Sequence, residues 1–171
     1  MKVKDVMTAT SLKFCSPETK LHIAAKTMKA SNCGALPVVD KQKKVLGIVT
    51  DRDICLSLAQ KRVKATVGQI MPTKVFTIKT DDDISTAFRQ MRTNQIGRLP
   101  VIDEQGKLKG IVSLHNLINN TISNGKEDLG AFSSDGENLL KTIQAVTDRY
   151  NGKISVKEKK TSTLKRTRTT F

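Results

Sequence analysis

The sequence predicts a mixed α/β fold of the α+β kind, assembled from one supersecondary unit used twice. Two observations carry that expectation. First, the chain matches itself when shifted by 63 positions: Ala24 meets Ala87, Met28 meets Met91, Gly34 meets Gly97, Leu36-Pro37-Val38 meets Leu99-Pro100-Val101, Asp40 meets Asp103, and Gly47-Ile48-Val49 meets Gly110-Ile111-Val112. Val6-Met7 and Ile70-Met71 pair in the same way after a one-residue gap. Second, inside each copy the apolar spacing passes from helical to strand-like and back in one fixed order.

Each unit opens with an irregular leading segment. Leu21, Ala24, Ala25 and Met28 then fall at i, i+3, i+4 and i+7, as do Ile84, Ala87, Phe88 and Met91, so both stretches are expected to be amphipathic helices with those residues in the core. Apolar runs follow at 35–39 and 98–102, then charged turns at 40–44 and 103–107, then a second apolar run at 45–49 and 108–112. Two apolar runs around a short charged turn read as a β-hairpin. A closing helix is expected from Thr50 and from Ser113, with Ile54, Cys55 and Leu58, or Leu114, Leu117 and Ile118, on one face.

The repeats are thus placed at 1–60 and 64–122, with a linker at 123–134 marked by Ser123-Asn124-Gly125. A helix-and-strand extension is expected at 135–156: Ser134 and Glu137 have capping-box spacing, Leu139, Leu140, Ile143 and Val146 share a face, and Lys153 to Val156 suits a small strand. The basic tail, 157–171, is too polar to build a core and is expected to be disordered in isolation.

Composition narrows the function. The chain of 171 residues is 37% apolar, enough for a buried core, and no apolar run approaches the length of a membrane span. The first residues lack a secretory signal pattern, so a cytoplasmic protein is expected. Three cysteines without a CxxC pair suit reduced thiols, and two histidines without ligand spacing give no metal site. The net charge is +14, and from Arg149 to Phe171 eight basic residues face one acidic, so half the excess belongs to the C-terminal arm. No nucleophile, base and carboxylate set, phosphate loop or metal cluster stands out, so a binding module is expected rather than an enzyme.

With GALPVVD followed by GIVTDRD in the first unit, and GRLPVID followed by GIVSLHN in the second, the chain resembles the CBS-domain family over residues 1 to 122. The resemblance implies a tandem pair packed with pseudo-twofold symmetry, two clefts, a homodimer, and AMP, ADP, ATP or S-adenosylmethionine as regulatory ligand. It also implies a site pattern in which a hydroxyl contacts phosphate and a carboxylate or amide three residues later contacts ribose: Thr50 and Asp53, then Ser113 and Asn116. Asp53, with two acceptor oxygens, suits a ribose diol better than Asn116. Arg52 and its counterpart His115 stand where a phosphate contact is possible. The stronger cleft is expected to join Thr50, Arg52 and Asp53 to Thr73, Lys74, Ile96, Gly97 and Arg98. The weaker joins Ser113, His115 and Asn116 to Thr10, Ser11, Cys33, Gly34 and Ala35.

The same hydroxyl and carboxylate positions are also those of a capping box, so Thr50 with Asp53 and Ser113 with Asn116 have a purely structural reading. The function expected is therefore a nucleotide-binding regulator that changes conformation or dimer packing and signals to an unidentified protein. Two alternatives stand beside it: non-specific nucleic-acid contact through the basic tail, and a ligand-free structural dimer whose clefts are filled by side chains.

Overall fold

In the computed structural model, residues 1–123 and 134–148 are described. Most of the expected linker, the Lys153–Val156 strand and the basic tail lie outside them. The first repeat contains α1 (Leu21–Ala30), β1 (Ala35–Val39), β2 (Val45–Thr50) and α2 (Asp51–Ala59). The second contains α3 (Val67–Ile70), β3 (Ile78–Lys79), α4 (Ile84–Asn94), β4 (Arg98–Ile102), β5 (Leu108–Ser113) and α5 (Leu114–Ser123), and α6 (Ser134–Asp148) follows.

Both hairpins form at the expected positions because their turns carry the same device. Asp40 Oδ1 accepts from the amides of Gln42 and Lys44, each at 2.8 Å, and Asp103 Oδ1 accepts from those of Gln105 and Lys107 at 3.0 and 2.8 Å. A short acceptor that bonds the backbone two and four residues on folds the chain tightly. The turn needs one left-handed residue, Lys43 (φ 65°) in the first hairpin and Gly106 (φ 76°) in the second. The hairpin tips then meet: Lys44 bridges Lys107, and the amide of Leu108 donates to the Lys43 carbonyl at 2.9 Å.

Two expectations shift slightly. Thr50 and Ser113 end β2 and β5, so α2 and α5 begin one residue later than the expected helices. The C-terminal helix starts at Ser134 and runs to Asp148. The leading segments hold elements without a periodic signal: α3, and β3, which pairs in parallel with β4 through Ile78 and Val101. The counterpart in the first repeat is the single bridge between Cys15 and Val38.

The leading segments also cross over. Val3 and Val6 are buried with Ile78, Phe88, Met91, Leu99 and Leu117 in the second repeat's core, whereas Val67 is buried with Leu21, Met28, Leu36 and Val49 in the first's. Main-chain bonds hold both exchanges: Val3 donates to the Asp82 carbonyl at 2.9 Å and Val67 to that of Thr19 at 2.9 Å. Full burial of a valine or leucine contributes about 1.5–3 kcal/mol, so each crossed turn is a substantial part of the other repeat's stability. The expected core residues Met28, Phe88 and Met91 are at most 5% exposed. Among the described residues no helix is long and apolar enough to cross a membrane.

Candidate functional site

Each hairpin delivers a capped helix start to the same place. Antiparallel register sets Ala35 opposite Thr50 and Arg98 opposite Ser113, so the start of the first strand lies beside the cap that ends the second. The amide of Asp51 accordingly donates to the Gly34 carbonyl at 3.2 Å, and that of Leu114 to the Gly97 carbonyl at 2.9 Å.

At the first cap, Asp53 Oδ2 accepts from the Thr50 amide at 2.8 Å and from the Thr50 hydroxyl at 2.6 Å, and Thr50 Oγ1 accepts from the Asp53 amide at 3.2 Å. The second cap repeats this geometry with an amide: Asn116 Oδ1 accepts from the Ser113 amide at 2.9 Å and hydroxyl at 2.6 Å, and Ser113 Oγ accepts from the Asn116 amide at 3.2 Å. Both capping boxes are therefore formed. Each hydroxyl proton is engaged, so in this arrangement the groups turned to an anion at either helix start are backbone N–H groups. Asp53 Oδ1 has no hydrogen bond among the described residues, and the side chain is half-buried.

Cross-repeat contributions come from two places. Arg98 of the second repeat reaches the first: a methyl group added at Gly34 would stand 2.9 Å from Asp51 Oδ2 and 3.2 Å from Arg98 Nη2, so a side chain there would push both groups aside. In the other direction Thr8 pairs with Ile111 through two main-chain bonds of 2.9 and 3.0 Å, and its hydroxyl accepts from Asn116 Nδ2 at 3.3 Å.

Cys33, Gly34 and Ala35 stand at the start of β1, where the Gly34 carbonyl accepts from Asp51 of the same repeat, and Ile96, Gly97 and Arg98 stand at the matching start of β4, where the Gly97 carbonyl accepts from Leu114. Arg98 also reaches the other repeat at Gly34. Thr10 and Ser11 are exposed, two and three residues beyond the Thr8 contact. Thr73 and Lys74 are exposed as well, with the Lys74 ammonium 4.6 Å from the Phe76 ring centroid. Arg52 is exposed, and so is His115, whose Nε2 lies 3.0 Å from Asn119 Nδ2.

A groove of about 470 Å³ opens beside the first cap, between α1 and the start of α2, lined among others by Met28, Lys29, Asn32, Cys33, Gly34 and Asp51. Lys29, Asn32 and Asp51 are not among the expected site residues. Their signal was available in part, since Asp51 directly follows the cap and must face Gly34 once the hairpin register is fixed. The groove has an apolar floor, Lys29 and Asn32 on the α1 side and the Asp51 carboxylate at the start of α2, and Arg98 approaches it at Gly34. Among the described residues no cluster of His, Cys, Asp or Glu is placed to hold a metal ion.

Comparison with known proteins fits this geometry. The chain is 41% identical to the CBS domain-containing protein YhcV of Bacillus subtilis over 124 residues, spanning 71% of this chain and 86% of that protein. It is 32% identical to the inosine-5'-monophosphate dehydrogenase of Methanocaldococcus jannaschii over 117 residues, but the match covers only 22% of that enzyme. Among solved structures, the CBS domain pair of protein MJ0100, in complex with 5'-methylthioadenosine and S-adenosyl-L-methionine, superposes with a TM-score of 0.68 at 28% identity, over 73% of this chain and 98% of that one. CBSX2 in complex with AMP, a protein of Arabidopsis thaliana, gives 0.64 at 27% identity, over 71% and 96%. The CBS domain family model matches residues 3–60 and 67–122, more than half of the chain. Two copies of one unit with crossed leading turns and paired hairpins thus have a family, and the chain belongs to the CBS-domain family as a tandem CBS pair.

Proposed function

We propose that this CBS pair is a regulatory module that binds an adenine nucleotide, AMP, ADP or ATP, or the related S-adenosylmethionine, beside the first cap. One observation carries the reading: Arg98 of one repeat reaches Gly34 of the other, and Gly34 lines an open groove beside the first cap, so groups from both halves adjoin that opening. A ligand held there has different contacts if the halves move, and differential affinity is what lets it shift a conformational equilibrium. In this reading Asp53 Oδ1 accepts from the ribose hydroxyls, the amides at the start of α2 meet phosphate, and Arg98 and Lys29 supply positive charge. The ligands in the MJ0100 and CBSX2 structures support the ligand class.

The ligand-free structural reading has one observation in its favour, since Asp53 Oδ2 and the Thr50 hydroxyl already satisfy each other. Thermal melts with AMP, ADP, ATP and S-adenosylmethionine separate the two. The nucleotide reading expects a rise in Tm for wild type that is lost in Asp53→Ala. Equal rises in both proteins, or none in either, would overturn it.

A further inference from the structure

We infer that Val146 of α6 is part of the nucleotide site, the residue against which the base of the ligand rests, so that a helix outside both repeats completes the cleft and is held by what fills it. The inference rests on the nucleotide reading of that cleft and names what meets the base there.

The path from the first cap to α6 is short. Arg98 reaches Gly34 of the first repeat, where Asp51, the first residue of α2, also stands. Arg98 opens β4, and the residues before it, Ile96 and Gly97, form the strand start that the resemblance sets in one cleft with Asp53. A methyl group placed on Gly97 has Val146 Cγ1 as its nearest neighbour, at 3.9 Å. That is ordinary van der Waals distance, so an apolar side chain of α6 flanks the strand start.

The packing of α6 holds Val146 there. The helix lies along α4 and α5. Leu139 packs against the second repeat's core, as Ile96 does, and the hydroxyl of the buried Thr142 donates to the Phe88 carbonyl at 3.4 Å. Leu139, Thr142 and Val146 fall at i, i+3 and i+7, one face of α6, so seating the first two delivers the third to Gly97.

The surroundings of the two strand starts differ in kind. A methyl group at Gly34 would meet the charged Asp51 and Arg98, whereas one at Gly97 would meet the apolar Val146. An adenine nucleotide is divided in the same way, with an anionic phosphate end and a flat base whose faces are apolar. With phosphate at the amides that open α2 and ribose at Asp53, the base extends to the start of β4, where a glycine lets a ring approach the backbone and Val146 adds apolar contact. Val146 lies near the end of α6, and Asp148 is followed directly by Arg149 and the basic arm, so a ligand resting on Val146 acts at the root of that arm.

The test uses the full chain, titrated calorimetrically with AMP and, by competition against AMP, with ribose 5-phosphate, which has the sugar and phosphate but no base. Val146→Ala is expected to weaken AMP roughly 3- to 10-fold and to leave ribose 5-phosphate unchanged. Unchanged AMP affinity would overturn the role of Val146 while leaving the nucleotide reading intact. Equal weakening of both ligands would overturn it as well, since α6 would then act through the fold and not on the base; no AMP binding to wild type would remove both readings. Hydrogen exchange on wild type keeps the inference open to refutation should the variant fail to fold. Saturating AMP is expected to slow exchange in the last turns of α6, and saturating ribose 5-phosphate to leave it unchanged. Equal protection by the two ligands, or none by AMP, would sink the inference.

Discussion

Asp53→Asn separates a capping role from a binding role, because the protein already contains the substituted site. Asn116 Oδ1 takes the same two bonds in the second repeat, at 2.9 and 2.6 Å, that Asp53 Oδ2 takes in the first, at 2.8 and 2.6 Å. An asparagine at 53 therefore keeps the box and loses only the carboxylate's attraction to the helix start, about 0.3–1 kcal/mol. For a chain of this size that lowers Tm by about 1–3 °C. Asp53→Ala removes the acceptor itself and costs about 1–2 kcal/mol, or roughly 2–6 °C. Ligand affinity is expected to respond in a different order. Replacing the outward oxygen by an amide that donates removes charged hydrogen bonds to ribose worth about 1.5–3 kcal/mol, so binding should weaken roughly 10- to 100-fold in the asparagine variant. Scanning calorimetry and titration calorimetry on the three proteins measure both quantities. Wild-type affinity in Asp53→Asn would refute the ribose role, and melting as low as that of the alanine variant would refute the shared cap.

Three further outcomes follow from the packing and the thiols. Gly110→Ala places a methyl 2.6 Å from Met7 Sδ and 2.9 Å from the Thr8 carbonyl, which cannot retreat without losing its bond from Ile111. It should cost about 1–3 kcal/mol in urea unfolding. Gly47→Ala, whose nearest neighbours are atoms of the flexible Met71 side chain, should cost less, and equal costs would contradict the crossed-turn packing. Leu36→Ala, at a fully buried position, is expected to cost about 2–5 kcal/mol, and Leu56→Ala, 51% exposed, to stay within about 0.5 kcal/mol of wild type. Burial pushes the Cys15 thiol up to about 11, so at pH 8 only roughly one in a thousand is ionised, whereas Cys55 is exposed. Timed alkylation read by peptide mass spectrometry should label Cys55 first and Cys15 last.

The elements with a local code were legible. Helix spacing at Leu21–Met28 and Ile84–Met91, and Asp40 and Asp103 at the hairpin tips, are short-range signals that tertiary packing reinforces. Pairings between distant residues were not legible. β3 has only two residues and exists because Ile78 finds Val101, and nothing near Val3 or Val67 in the sequence says that each fills the other repeat's core. The site shows the same division. Thr50 with Asp53 and Ser113 with Asn116 were visible as motifs, and so was the importance of Gly34. Asp51, Lys29 and Asn32 entered only once the hairpin register and the position of α1 were known. The apolar face of α6 was visible at Leu139, Ile143 and Val146, but nothing near it in the sequence says that Val146 ends up beside Gly97.

The exchanged turns have a consequence for how such a chain arises. Cut between the repeats, each piece would lack a valine that completes its interior and would carry one meant for its neighbour. A single-unit forebear would have needed a twin to donate that turn, which makes fusion of two interlocked twins a direct route to the present gene. The interlock also ties the halves together, since each opening turn is packed inside the opposite half and neither can leave without opening its neighbour's interior.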